Sequence, residues 1–436
     1  MLIFLALLSV FTLSFAAERH FDTYKKGDGN GHTLLVIGGV HGDEPGGFFA
    51  PSILIQHYQI SNGSLWIVPN LNFDSIVRNQ RGAYGDLNRK FDRLSLDDKD
   101  YVIIQDIKAL ILNPRVDLLL NLHDGHGFYR ESWENTIFNP GAWGQTCIID
   151  QNVLDINSPF KNLDAIARHV STNLNKSPLE QEYHDFHVKN TETKDKDEQM
   201  QLSLTYFAVT HEKPAFAIET SKNLTKLERK VQYQLRAIEE FLKVMAIHYK
   251  RDFDLDNYEQ VSQIVNELGV LTLNNQMSFH LSSLKKDIYF VPLKDAHNLA
   301  AFTHPLGSMR IDSKKQYQVS VGNQLVTTLH PQYFELETQL DSIKMVRDGE
   351  EILVQKGSTV AVRNSFKILV GASYRVNIIG FTKEGVSSES DVLVSFNEVL
   401  KRYSIDTDGY KYRVEFYREN KFSGMVIIDF TPDEND

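Results

Sequence analysis

Between residues 32 and 250, short runs of consecutive apolar residues alternate with stretches whose apolar positions recur about every 3.6 residues. That alternation predicts strands at 33–40, 64–69, 116–122, 146–149 and 215–219, and helices at 105–112, 163–174 and 226–249. Continuous apolar strands separated by amphipathic helices predict an α/β domain on a central mixed sheet. A charged stretch at 189–198 interrupts the pattern and reads as a solvated loop that can rim a cleft.

The pattern changes after Arg251. One helical stretch at 257–268 is followed by alternating runs at 309–312, 316–321 and 325–329. From 341 onward come short strands at 351–354, 359–362, 374–381, 391–396, 411–417 and 425–430, at the spacing of a β-sandwich. The expected layout is an α/β domain over 17–250 and two small β-rich domains over 251–340 and 341–436, the last an immunoglobulin-like sandwich.

Residues 1–16 are an apolar run ending in Ser14-Phe-Ala16, which predicts a signal peptide and export. No later segment reaches the roughly 20 apolar residues needed to cross a bilayer. A formal charge of −11 argues against non-specific nucleic-acid binding, so an anionic ligand must meet a local basic cluster. The single cysteine, Cys147, leaves the fold to hold without an intramolecular disulfide.

Candidate chemistry gathers at the ends of the apolar runs. Gly38-Gly-Val-His-Gly-Asp-Glu-Pro-Gly-Gly47 presents His41 and Glu44 after the first strand, where open α/β sheets place their ligands. An imidazole and a carboxylate are common zinc ligands, and catalytic zinc takes three protein ligands and a water. His123, just past the run 116–122, is the candidate third ligand; His126 competes for that role, and the strand-end position favours His123. His184 and His187 have metal-like spacing but stand in a polar stretch and read as surface residues. Glu219, ending the run 215–219, is a candidate general base. The glycine-bearing segment 78–91 carries Arg78, Arg81 and Arg89, and guanidinium groups suit both a substrate carboxylate and a developing oxyanion.

Together, His41-x-x-Glu44, Asp86-Leu-Asn-Arg-Lys-Phe91, His123 and Glu219 resemble the zinc carboxypeptidase clan, which includes the digestive carboxypeptidases and the succinylglutamate desuccinylase and aspartoacylase group. The layout is most similar to the periplasmic peptidoglycan DL-carboxypeptidases that determine helical cell shape. That resemblance implies one Zn2+ held by His41, Glu44 and His123, with Glu219 as general base and Arg81 polarising the scissile carbonyl or holding the terminal carboxylate. Asn88 and Arg89 would complete the clamp, and Trp143, Thr205 and Lys222 would line the substrate pocket. The implied reaction trims muropeptide tripeptide to dipeptide by releasing meso-diaminopimelate in the periplasm. The far end of diaminopimelate carries an ammonium and a carboxylate, for which Asp43, Asp124 and Lys222 are candidates. Two other readings fit the same residues less fully: a periplasmic zinc deacylase of N-acyl amino acids, and a non-catalytic peptidoglycan-binding scaffold. The β-rich domains would serve a polymeric substrate or protein partners.

Overall fold

A computed structural model describes residues 21–176 and 184–432, so the expected signal peptide at 1–16 lies outside the described residues. The first domain is built on a seven-stranded sheet. Its strands in chain order are β1 (Tyr24–Gly27), β2 (Thr33–Ile37), β3 (Ser64–Val68), β4 (Leu118–Gly125), β5 (Thr146–Ile149), β6 (His187–Asn190) and β7 (Ala215–Ser221). In space they run β1-β3-β2-β4-β7-β5-β6, with β3, β2, β4 and β7 parallel and β1 and β5 antiparallel to their inner neighbours. The sheet is therefore mixed, with its four central strands parallel. Those strands are apolar on both faces because helices cover both sides.

Helix α1 (Pro45–His57), α2 (Phe73–Val77), α3 (Tyr101–Ile111), α4 (Leu163–Leu174) and α5 (Leu227–Val244) surround the sheet. Strand β4 runs on past the expected end at 122, so His123 and Asp124 lie within it. The cause is β7, which pairs in register as far as Gly125 with Ser221 and keeps the ladder going. Helix α5 ends earlier than its apolar spacing predicts. The chain turns at Ala246 with φ +53°, then forms a strand, His248–Arg251, against Tyr58–Asn62.

The second region carries a three-stranded and a four-stranded sheet. Its core does not stop at the expected boundary. Phe253, Leu255 and Val261 join the apolar core of the first domain, and Gly322 lies against the rings of Phe48 and Phe49 in α1. His304 is buried beside Phe49, and burial lowers its imidazole to about 4, which leaves it neutral. The third region has two four-stranded sheets around a core that includes Ile343, Phe366, Val414 and Ile428, while Tyr417, Phe422, Met425 and Ile427 join the core of the first two regions. Among the described residues no helix is long and apolar enough to cross a membrane.

Candidate metal centre

The glycines of the 38–47 segment serve two different needs. Gly39 takes φ +71°, which turns the chain out of β2. Gly47 is required by proximity: an added Cβ would stand 2.6 Å from the Leu122 carbonyl oxygen of β4. Helix α1 thus starts tight against the central strand, with Pro45 at its first position and Glu44 at its N-cap. Glu44 makes no capping bond to its own helix. Its carboxylate instead faces the imidazoles, and Asp124 of β4 accepts the Gly46 N–H at 2.9 Å in its place.

His41 Nδ1 and His123 Nδ1 approach the same oxygen, Glu44 Oε2, at 3.0 and 2.7 Å. Donor atoms of these three buried residues all lie within 4.8 Å of one another. His41 Nδ1 is buried without a hydrogen-bond partner, although its ring is fixed from the other side. There Nε2 lies 2.8 Å from Asp86 Oδ1. Two imidazoles and a carboxylate gathered at one buried point, with His41 Nδ1 making no well-formed hydrogen bond, are the donor arrangement expected for a divalent metal.

The charges are strongly coupled. Burial opposes ionisation of Glu44, but His41 and His123 outweigh it and hold the carboxyl well below its usual range. Burial also opposes a charged His41, yet Glu44 and Asp86 hold its ring up at about 9. Burial lowers His123. Glu219 pairs in register with His123 across parallel strands, so both side chains project from one face. Burial, and then the neighbouring Glu44 charge, push the Glu219 carboxyl well up.

These groups line a cavity of about 320 Å³, together with Arg81, Asn88, Arg89, Trp143 and Lys222. Arg81 is half-exposed and donates to Glu44 Oε1 at 3.1 Å and to Asp86 Oδ2 at 2.9 Å. Asn88 is buried in a short 3-10 turn and accepts the Leu204 N–H at 2.9 Å. Lys222 reaches Asp43 at 2.6 Å and Glu44 at 3.5 Å. Trp143 is overlain at 4.1 Å by the Lys189 ammonium, which also donates to the Pro140 and Ala142 carbonyls. Burial lowers that ammonium to about 8.

Thr205, expected in the pocket, is not among the cavity residues. It is buried at the start of the helix Leu204–Thr210, near Ser203, and its hydroxyl bonds Asp150. Burial lifts the Asp150 carboxyl to about 6, with Thr193 and Thr205 acting against the rise. His126 is exposed at the cavity rim, and His184 packs its ring on Phe128 at 3.9 Å. Sequence reasoning assigned no role to Asp86, which accepts from His41, Arg81 and the Asn88 backbone. Its signal was its place two residues before Asn88-Arg89.

A family model described as the catalytic domain of a carboxypeptidase controlling helical cell shape matches residues 2–266. A second, the C-terminal domain of a metallo-carboxypeptidase, matches 336–431. No curated protein matches the sequence. Among solved structures, apo cell shape determinant Csd4 from Helicobacter pylori is 35% identical with a TM-score of 0.86, covering 94% of this chain and 99% of its own. The mDAP-bound form of the same D,L-carboxypeptidase is 36% identical with a TM-score of 0.85, covering 93% and 99%. A tripeptide-bound form is 35% identical with a TM-score of 0.86, covering 94% and 99%.

Proposed function

Because this chain belongs to the family of carboxypeptidases that control helical cell shape, we propose that it is a zinc-dependent DL-carboxypeptidase of peptidoglycan. In this reading it releases meso-diaminopimelate from muropeptide tripeptide and leaves the dipeptide. The observation that carries the reading is the convergence of His41, Glu44 and His123 beside Glu219, with arginines on the wall of the same cavity.

His41, Glu44 and His123 would hold the zinc, which when bound supplies a Lewis acid for amide hydrolysis. The remaining work falls to the chain's own side chains. Arg89 and Asn88 bind the terminal carboxylate of the tripeptide. Arg81, half-exposed on the wall of the cavity, meets the negative charge that develops on the carbonyl oxygen. Glu219 takes the proton of the attacking water and delivers it to the departing amine. Trp143 forms a flat wall, and Lys222 with Asp43 faces the charged far end of diaminopimelate.

Residues 1–16 would direct the chain to the periplasm, where its polymer lies, and the last region would be an immunoglobulin-like sandwich. The test is incubation of the purified protein with tripeptide muropeptides, followed by mass analysis. Release of diaminopimelate that stops with a chelator supports the reading. A digest left unchanged by zinc-loaded protein overturns it, and cleavage of free N-acyl amino acids alone assigns the chain to deacylation.

A further inference from the structure

A second cavity, about 1170 Å³, opens between the second and third regions, far along the sequence from the metal ligands. One wall is the strand Asp287–Leu293, whose pairing with Gln324–Tyr333 breaks register between Ile288 and Val291. The break turns two consecutive aromatics outward, Tyr289 at 55% and Phe290 at 67% exposure. Phe290 sits at φ +56°, a conformation that costs a bulky L-residue energy. Arg413 of the third region holds this bulge by donating to the carbonyls of Tyr289 and Phe290 at 2.9 and 3.2 Å. Behind Tyr289, the His330 ring stacks at 4.1 Å and 20°. His330 is itself fixed by Asp287 at 2.8 Å and Gln316 at 3.1 Å. The result is a rigid aromatic platform with its outer face in the cavity. A bulge that served only to dock the two regions would bury these rings.

The polar lining points the same way. Arg413 and Glu415 line the cavity and are ion-paired, Nη1 to Oε1 at 3.4 Å, while Arg413 Nε is buried without a hydrogen-bond partner. Flat apolar faces beside paired guanidinium and carboxylate groups match a saccharide, which offers a C–H face and a rim of hydroxyl and amide groups. We propose that this cavity binds the glycan strand of the substrate polymer, a chain of N-acetylated amino sugars. The assignment of that polymer rests on the peptidoglycan reading above.

The full chain is titrated calorimetrically with a β-1,4-linked N-acetylglucosamine hexamer. Saturable binding is expected, weakened about tenfold in Tyr289→Ala and retained in Tyr289→Phe. Phe290→Gly should raise the thermal midpoint, by relieving strain, while weakening binding. Tyr289→Ala should leave turnover of soluble tripeptide unchanged and slow release from intact sacculi. No heat with the hexamer, or equal affinity in Tyr289→Ala, overturns the proposal, as does a photocrosslinker at position 289 that captures only protein. The hexamer carries no peptide, so its binding is read independently of hydrolysis. A hydrolase that ignores the hexamer loses only the glycan assignment.

Discussion

His41 is bonded to Asp86 across 2.8 Å, and this contact decides which nitrogen of the ring is left for the metal. Asp86 is kept ionised, against its own burial, by His41 and Arg81, so it can only accept, and Nε2 must carry the proton. Nδ1 then faces Glu44 and the shared donor point. Asp86→Ala should weaken metal affinity by about 10- to 100-fold, as loss of a ligand-orienting carboxylate generally does. Competition with a chromophoric chelator measures it. Unchanged affinity would show that packing alone orients the ring.

Glu219 faces the cavity beside the ligands without belonging to the converging donor set. Glu219→Gln should therefore retain one metal per chain while kcat drops by about 10² to 10⁴, the usual worth of a positioned proton-transfer group. Metal analysis and diaminopimelate release are read on the same sample. A parallel loss of metal would reassign Glu219 to holding the ion.

The metal-free protein should be pH-sensitive on both sides. His41 is raised from 6.5 to about 9, so its contribution to stability is present below 6.5 and lost as pH climbs through 9. Glu44 is lowered from 4.5, so its contribution is present above 4.5 and lost as pH falls further. Thermal midpoints of the apo protein should peak between those limits. Metal must displace the His41 proton, so apparent affinity should rise about tenfold per pH unit from 6 to 8. A flat affinity profile would mean that His41 is already neutral.

Gly47→Ala should destabilise the fold by roughly 1 to 3 kcal/mol, because the new methyl meets backbone rather than a side chain that can swing away. The nearest atom is Leu122 O at 2.6 Å. Gly371→Ala, with its nearest neighbour at 4.0 Å, is the control that should stay near neutral. Thermal unfolding of both variants decides whether the glycine run is there for contact.

The site was legible in the sequence where chemistry followed directly on an apolar run. His41, Glu44, His123 and Glu219 each sit at or near the end of a buried parallel strand, and parallel neighbours bring such ends together. Thr205 stands apart from the cavity residues, and nothing in one dimension shows the buried Asp150 carboxylate that its hydroxyl meets. Asp86 was passed over because a lone acid in a glycine-bearing loop reads as a turn residue. Strand β1 escaped notice because its Tyr-Lys-Lys-Gly sequence is that of a half-exposed edge, where lysines guard the unpaired side. The end of β4 depended on its partner β7, a long-range fact.

Gly322 resting on Phe48 and Phe49 has a consequence for how the chain can be divided. Helix α1 carries Glu44 at its head and uses the second region as its roof, tied also by Arg310 to Asp74 and Asn323 to Asn79. A fragment ending at 250 would bare two phenylalanines above the helix that positions a metal ligand. The first region is therefore not closed on its own: part of its apolar surface is finished by the second, and the helix that presents Glu44 is steadied by that packing.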